Sequence, residues 1–217
     1  MEWSLLGGLP EDQRRTVLAL ARRRRFGRGD FIFHEGDPGD TLYLLAKGRV
    51  GIRATTPLGD CATLLVLGPG AFFGEMALIS NAPRNATALA LEPVETLSIR
   101  REQFDELGAN EPSIDRFLLD AALAEVRRLS HQLLEALYVP ADKRVLRRLL
   151  DLVDLYRTGS ANTATIPLTQ EELGQLAGTT RPTTNRVLRA AEDAGALRIG
   201  RGRIEVLDSA ALARRAR

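Results

Sequence analysis

The chain has 217 residues, 44% of them hydrophobic and 27% charged, which suits one or two domains of a soluble globular protein. It holds one cysteine, Cys61, and two histidines, His34 and His131; this excludes an internal disulfide, a four-cysteine zinc site and a cysteine-ligated iron–sulfur cluster within one chain, and neither histidine has an evident partner for haem. Its apolar runs are far too short to span a bilayer, and the opening MEWSLLGGLPEDQRR lacks the basic start and apolar core of a signal peptide, so a cytoplasmic protein without membrane attachment is expected. The formal charge of +2 hides an asymmetry: residues 1–141 carry 16 basic and 19 acidic side chains, residues 142–217 carry 14 and 9, and the basic C-terminal third points to a polyanion partner.

Taken in order, Pro10 to Arg24 places apolar residues at Val17, Leu18, Leu20 and Ala21 and predicts an amphipathic helix. The arginine run Arg22 to Arg25 reads as its solvated, cationic end, with a nucleic-acid contact as the alternative. From Phe26 to Ile99 the texture changes to short runs at Asp30–Phe33, Thr41–Leu45, Val50–Ala54, Ala62–Leu67, Thr87–Leu91 and Val94–Ile99. Turn residues separate them, at 36–40, 47–48, 57–60 and 68–70, which predicts an antiparallel roll, sandwich or barrel. Cys61 is expected to pack within a strand-like run.

Within this region, Phe73 to Ala88 reads FGEMALISNAPRNATA and holds just two charges, Glu75 and Arg84. The pattern suits a small anion that also carries hydroxyls. Arg84 offers a planar fork for two phosphate oxygens, and a helical turn opening near Gly74 would direct backbone N–H groups at the same phosphate. Glu75, ionised, can accept from a sugar hydroxyl, and Gly74 lets a ligand approach the backbone. The competing reading is a Glu75–Arg84 ion pair that closes a loop. The segment resembles the phosphate-binding cassette of cyclic-nucleotide-binding domains, and the run from Arg28-Gly29-Asp30 to Tyr43–Gly48 is similar to their β-roll. The resemblance implies Arg84 on the cyclic phosphate, Glu75 on the ribose 2′-hydroxyl, and Gly74, Met76, Ala77 and Asn85 around the ligand.

Arg100 to Leu107 predicts a short helix, and Ser113 to Tyr138 a long one with an apolar seam at Leu119, Ala122, Val126, Leu129, Leu133 and Ala136. Its three-and-four spacing is that of a helix pairing with its twin, with burial against the chain's own roll as the alternative. Pro140 ends that helix, so Val139–Ala141 is the expected hinge. Asp142 to Tyr156 is amphipathic, with Val145, Leu146, Leu149, Leu150 and Val153 inward, and Thr158 to Ala164 is a polar loop.

Thr169 caps a helix rich in acid in its first turn, which runs to Ala177; after Gly178-Thr179-Thr180 a second helix spans Arg181 to Ala194 with Pro182 in its first turn. Leu173, Leu176, Val187 and Leu188 can pack the pair, with Ala177 and Gly178 allowing a close crossing. A hairpin from Ala196 to Val206 and a helix from Asp208 to Arg214 complete a winged helix-turn-helix. Arg181, Asn185, Arg186 and Arg189 share one side of the second helix, where arginine matches the acceptors of guanine; Thr179, Thr180 and Thr183 suit phosphates, as does Gln170. Arg201 and Arg203 on the wing read equally as phosphate contacts or as solvated residues. The order of roll, long helix and winged helix-turn-helix resembles the Crp–Fnr family of bacterial transcription regulators over nearly the full length.

The resemblance implies an α+β fold in three parts: a cyclic-nucleotide-binding β-roll over 1–110, a dimerisation helix and hinge over 111–139, and a winged helix-turn-helix over 140–217. It implies no catalytic or metal site and no cofactor beyond the effector nucleotide. The expected partners are double-stranded DNA, a second copy of the chain and RNA polymerase, with Arg181 and Arg186 as base readers. Two departures stand out. Pro182 replaces the glutamate usual after the first arginine, and Leu129 stands where the cyclic-AMP receptor branch has a threonine, although Ser130 keeps the adjacent serine. Cyclic AMP is the first expectation; cyclic GMP, another effector or ligand independence stays open, as does a regulatory subunit acting on a protein partner. His131 and Gln132 are nearby polar alternatives.

Overall fold

The computed structural model describes residues 3, 6, 10–56, 59, 61–76, 82–110, 112–157 and 162–216, with side chains left aside at 107, 108, 110, 112–118 and 121. The chain packs as two compact units, Met1–Asp60 with Leu65–Leu129, and Cys61–Leu64 with Ser130–Arg217.

The chain opens with α1 (Glu11–Leu20) and continues through the strands β1 (Arg22–Phe26), β2 (Phe31–Phe33), β3 (Thr41–Lys47), β4 (Val50–Thr55), β5 (Cys61–Leu67), β6 (Phe72–Phe73), β7 (Thr87–Ala90) and β8 (Val94–Arg100). They form two four-stranded sheets of order β1-β8-β3-β6 and β2-β7-β4-β5. Alternation along β3 sorts its side chains to opposite faces. Tyr43 and Leu45 join Val50, Phe73, Ala88, Ala90 and Val94 in a core drawn from both sheets. Leu42 and Leu44 face the other way, onto Leu6, Val17, Ile99 and Phe104. Here α1 and α2 (Arg101–Asn110) close the outer side of the first sheet.

Three expectations are corrected in this part of the chain. The first helix stops at Leu20, and Arg22–Phe26 is an edge strand paired antiparallel with β8 from Arg22↔Ser98 to Phe26↔Val94. Local helical patterning there gives way to the unsatisfied edge of β8, and Arg23 and Arg25 reach Glu95 across the pair at 3.9 and 3.1 Å. A row of exposed arginines also keeps that edge from pairing further. Cys61 begins β5 with an exposed thiol rather than a packed one. The two-residue strand β6 was not expected, because Phe72-Phe73 is too short to show alternation.

Helix α3 (Pro112–Tyr138) carries the predicted seam, and that seam is uncovered: Leu119, Val126, Leu129 and Leu133 are 45–60% exposed. After Pro140 comes α4 (Ala141–Tyr156), which buries Val145, Leu146, Leu149, Leu152 and Val153. Leu152 thus takes the inward place expected of Leu150, which is half-buried. Ala164 belongs to a short strand, β9 (Ala164–Ile166), rather than to the polar loop; residues 158–161 lie outside the described residues. Then follow α5 (Gln170–Leu176), α6 (Arg181–Asp193), the hairpin β10 (Leu197–Gly200) and β11 (Arg203–Val206), and α7 (Ser209–Arg215). The strand order β10-β11-β9 makes the wing a three-stranded sheet.

The end of α3 is fastened to α4 by ions. Glu135, buried to 9% exposure, accepts from Arg147 at 2.8 Å and from Arg148. Burial pushes its carboxyl upward in pKa, but the bonds and charges of Arg147 and Arg148 outweigh that and hold it below the usual range. A depressed folded pKa gives stability that is present above the unfolded value, about 4.3, and is lost as pH falls through the folded one. Glu135→Gln should lower the stability of the C-terminal unit by about 1–3 kcal/mol at pH 7. Thermal unfolding from pH 7 to pH 3 should find the variant less sensitive to acid than the natural chain.

Candidate nucleotide and nucleic-acid sites

β6 ends in Phe73, and Gly74 then adopts φ +86° before helical backbone begins at Glu75 and Met76. A side chain at Gly74 would be strained by that φ. Its Cβ would also stand 2.7 Å from Arg84 Nη1 and 3.0 Å from the Thr41 carbonyl. The glycine thus makes room for Arg84. Ala77 lies outside the described residues.

Arg84 is 4% exposed. Its N–H donates to the Asp37 carbonyl at 2.8 Å, and its own carbonyl accepts from Gly36 N–H at 2.8 Å, which pins it to the turn after β2. Nη1 donates to the Gly74 carbonyl at 2.8 Å and Nη2 to the Thr41 carbonyl at 2.6 Å. Nε is buried with no hydrogen-bond partner among the described residues. The guanidinium lies over the Phe33 ring, 4.3 Å from its centroid, and 6.0 Å from that of Tyr43.

Among the described residues no carboxylate pairs with Arg84, Glu75 included, so the ion pair that would close the loop is not formed. Burial lowers the pKa of Arg84, opposed by Tyr43, Asp40, Glu75 and Asp37. Burial also raises Glu75 above the carboxylate range; its own backbone N–H and Arg84 oppose this, and the charge of Glu125 adds to it. Glu125 itself is held in a two-pronged pair by Arg128, with Nε–Oε2 at 2.7 Å and Nη2–Oε1 at 2.5 Å. Asn85 Nδ2 contacts Met76 Sδ at 3.3 Å, so Asn85 and Met76 do stand together. Leu129 and Ser130 are both exposed on α3.

In the second unit, Thr169 accepts from Glu172 N–H at 3.2 Å while Glu172 accepts from Thr169 N–H at 2.8 Å, a reciprocal capping box that starts α5 as its sequence predicts. The close crossing of α5 and α6 occurs at Gly174, where a Cβ would stand 2.9 Å from Thr184 Oγ1 and 3.1 Å from the Thr179 carbonyl. Gly178, expected to serve that crossing, instead supplies φ +58° to the turn and has open space beside it. Thr184, Val187, Leu188 and Ala191 form the inner face of α6.

Arg181 and Arg186 lie on the exposed face of α6, and neither has an acidic partner among the described residues. Asn185 is half-buried and donates to Gln170 Oε1 at 2.8 Å, so those two predicted contacts brace each other. Arg189 pairs with Glu192 at 2.7 Å, and Thr180 and Thr183 share a 3.2 Å hydroxyl contact, with Thr179 half-buried beside them. Glu192 also accepts from Ile199 N–H, the largest cause of its lowered pKa, so it joins α6 to the wing. Arg203 pairs with Glu205 at 2.8 Å, while Arg201 stands exposed at the wing turn. Thr169, Gln170, Arg181, Asn185, Gly202 and Arg203 line a concave cleft between α6 and the wing.

Sequence reading missed Arg144. Its guanidinium donates to the carbonyls of Val139 at 2.8 Å, Gly178 at 2.9 Å, Ala177 at 3.0 Å and Ala136 at 3.4 Å, and so ties the end of α3 to the turn of the helix-turn-helix. It also missed the rings under Arg84. An arginine on an amphipathic helix and aromatics in strands carry no local signal for such contacts.

An antiparallel roll with a cyclic-nucleotide-type cassette, followed by a winged helix-turn-helix, defines a sensor–regulator class. Residues 23–111 match the cyclic nucleotide-binding domain family, and residues 143–215 match the Crp-like helix-turn-helix domain. The CRP-like cAMP-activated global transcriptional regulator of Mycobacterium tuberculosis is 34% identical over 207 residues, covering 93% of this chain and 92% of that protein. The cyclic AMP receptor protein of Thermus thermophilus is 36% identical over 211 residues, covering 96% and 94%. The crystal structure of the Thermus thermophilus catabolite activator protein aligns with a TM-score of 0.57 at 34% identity, covering 98% of this chain and 97% of that one. The chain belongs to the Crp–Fnr family of transcription regulators.

Proposed function

We propose that this chain is a cyclic-nucleotide-responsive, homodimeric DNA-binding regulator of transcription, and not an enzyme. The observation that carries the reading is Arg84, a buried guanidinium that has, among the described residues, no paired carboxylate and an unused Nε. A cyclic phosphate supplies both the missing charge and the missing acceptor. Glu75, ionised, accepts from the ribose 2′-hydroxyl, while Gly74, Met76, Ala77 and Asn85 frame the ligand. Cyclic AMP is the favoured nucleotide, as in the names of the two relatives of similar full length. The second reading is cyclic GMP, another effector or ligand independence; it is favoured by Leu129, an apolar and 45% exposed residue where the resemblance implies a threonine. Ser130, with His131 and Gln132 beside it, supplies the polar alternatives.

The uncovered stripe from Leu119 to Leu137 on α3 supports pairing with a second copy through that helix. Two recognition helices would then enter successive major grooves of a near-palindromic site. Arg181 and Arg186 read bases; Thr179, Thr180, Thr183 and Gln170 hold phosphates; Asn185 and Arg189 flank them. Pro182 removes one side-chain hydrogen bond from the operator contact set of the cyclic-AMP receptor branch. Arg144 and Glu135 fasten the end of α3 to the helix-turn-helix and α4, so a ligand-dependent setting of α3 would travel to the DNA-binding face. The roles are those of a cytoplasmic protein that works with RNA polymerase. The rival, a regulatory subunit acting on a protein, has no use for the exposed arginines of α6.

Calorimetric titration with cyclic AMP and, separately, cyclic GMP tests the sensor: one of them should bind at micromolar affinity with about one per chain. Arg84→Leu should abolish that heat while sedimentation still reports a dimer, and unchanged affinity would remove Arg84 from the phosphate. Arg186→Ala should cost about 1–3 kcal/mol on a specific site by fluorescence anisotropy; an equal loss on random DNA would make it a phosphate contact instead.

A further inference from the structure

The anion seat contains a feature that neither the cassette nor the helix-turn-helix explains. Phe33, Tyr43 and Phe73 form a continuous aromatic cluster, and Arg84 lies over its Phe33 ring. Tyr43 and Phe73 stack at 5.2 Å and 10°, and Phe33 stands 5.9 Å from Tyr43 and 6.0 Å from Phe73. Each ring comes from a different strand: β2, β3 and β6. The Arg84 guanidinium sits 4.3 Å from the Phe33 centroid, well inside the range where a cation is held by the negative face of a ring.

A guanidinium has five N–H donors in a fixed plane. Here Nη1 and Nη2 each donate to a main-chain carbonyl, of Gly74 and of Thr41, and Nε is left unpaired in a residue only 4% exposed. Burying such a charge without a carboxylate is costly unless something else faces it. The rings and the two carbonyls do so. They also fix the plane in which the guanidinium lies, and hence the edge it offers to an anion. Two carbonyls alone would leave the plane free to tilt about the line joining them; a ring face below removes that freedom.

We propose that Phe33, supported by Tyr43 and Phe73, is a positioning residue: its ring stands in for a counterion and holds the Arg84 plane so that the Nε edge meets a phosphate. The inference rests on the nucleotide reading above. It implies that ligand affinity depends on a side chain that need not touch the ligand. It also gives the aromatic residue at position 33 a task beyond filling the core.

The test uses the full chain. Phe33→Leu keeps an apolar side chain and removes the ring face; Phe33→Tyr keeps the ring. By calorimetry the leucine variant should bind cyclic AMP about 3- to 30-fold more weakly than the natural chain, and the tyrosine variant within about twofold of it. A loss of packing alone would lower the unfolding temperature without changing how Arg84 is held, so a second readout follows Arg84 itself. In ¹⁵N-labelled protein without nucleotide, the Arg84 Nε–H signal, assigned by its absence in Arg84→Lys, should be protected from exchange. That protection should fall at least about tenfold in Phe33→Leu and return in Phe33→Tyr. Equal affinity of the leucine variant and the natural chain would overturn the proposal, as would an Nε–H equally protected in both. If the natural chain binds neither cyclic AMP nor cyclic GMP, the nucleotide reading falls, and the exchange comparison in the free protein still decides what Phe33 does to Arg84.

Discussion

Burying a guanidinium without an acid to face it is the constraint on which the N-terminal unit depends. Arg84 is almost wholly removed from water, and its ordinary neutralising partner, Glu75, is half-buried nearby but not paired with it. Everything around Arg84 answers that constraint. The Gly36–Asp37 turn takes its main chain, Gly74 yields the space for Nη1, the Thr41 and Gly74 carbonyls accept, and the Phe33 ring underlies the plane with Tyr43 beyond it. Among the described residues, Nε is the one guanidinium nitrogen of Arg84 that is buried without a hydrogen-bond partner. Glu75 is half-buried, and burial first, then the charge of Glu125, raises its pKa against the opposing effects of its own backbone N–H and Arg84.

The C-terminal unit solves a different problem, which is to hold two short helices at a fixed crossing while leaving one face open. Gly174 brings α5 and α6 together, the Thr169–Glu172 box starts α5, and the Asn185–Gln170 bond braces the outer side. Arg144 satisfies carbonyls at the end of α3 and at the turn between α5 and α6. Such carbonyls lack partners within their own helices. One side chain therefore makes the C-terminal end of the long helix and the turn between α5 and α6 parts of a single hydrogen-bonded assembly. Glu135 does the same toward α4 by charge.

Much of this was legible in the sequence, for reasons that differ by element. The cassette and the helix-turn-helix declare themselves because their glycines, prolines and charges sit at fixed spacings. The long helix and α4 do so because apolar period survives over many turns. What was hidden depends on partners distant in the chain. Arg22–Arg25 reads as a helix end until β8 offers an edge to pair with. β6 and β9 are too short to show a period. The choice of Gly174 over Gly178 for the close crossing needs Thr184, ten residues on. The rings near Arg84, Phe33 and Tyr43, are separated from it by 51 and 41 positions and meet it only when the sheets close. The apolar seam of α3 is legible as a three-and-four period; the structure adds that, within one chain, its leucines remain exposed.

The central claim is that an anion completes the seat of Arg84. Cyclic AMP and adenosine share base and ribose and differ in the phosphate, so titrating the purified full-length chain with each isolates that group. Cyclic AMP should bind at about one per chain, and adenosine at least about a hundredfold more weakly, since its phosphate-free sugar leaves the buried donor unpaired. Equal affinities for the two would contradict the role assigned to Arg84.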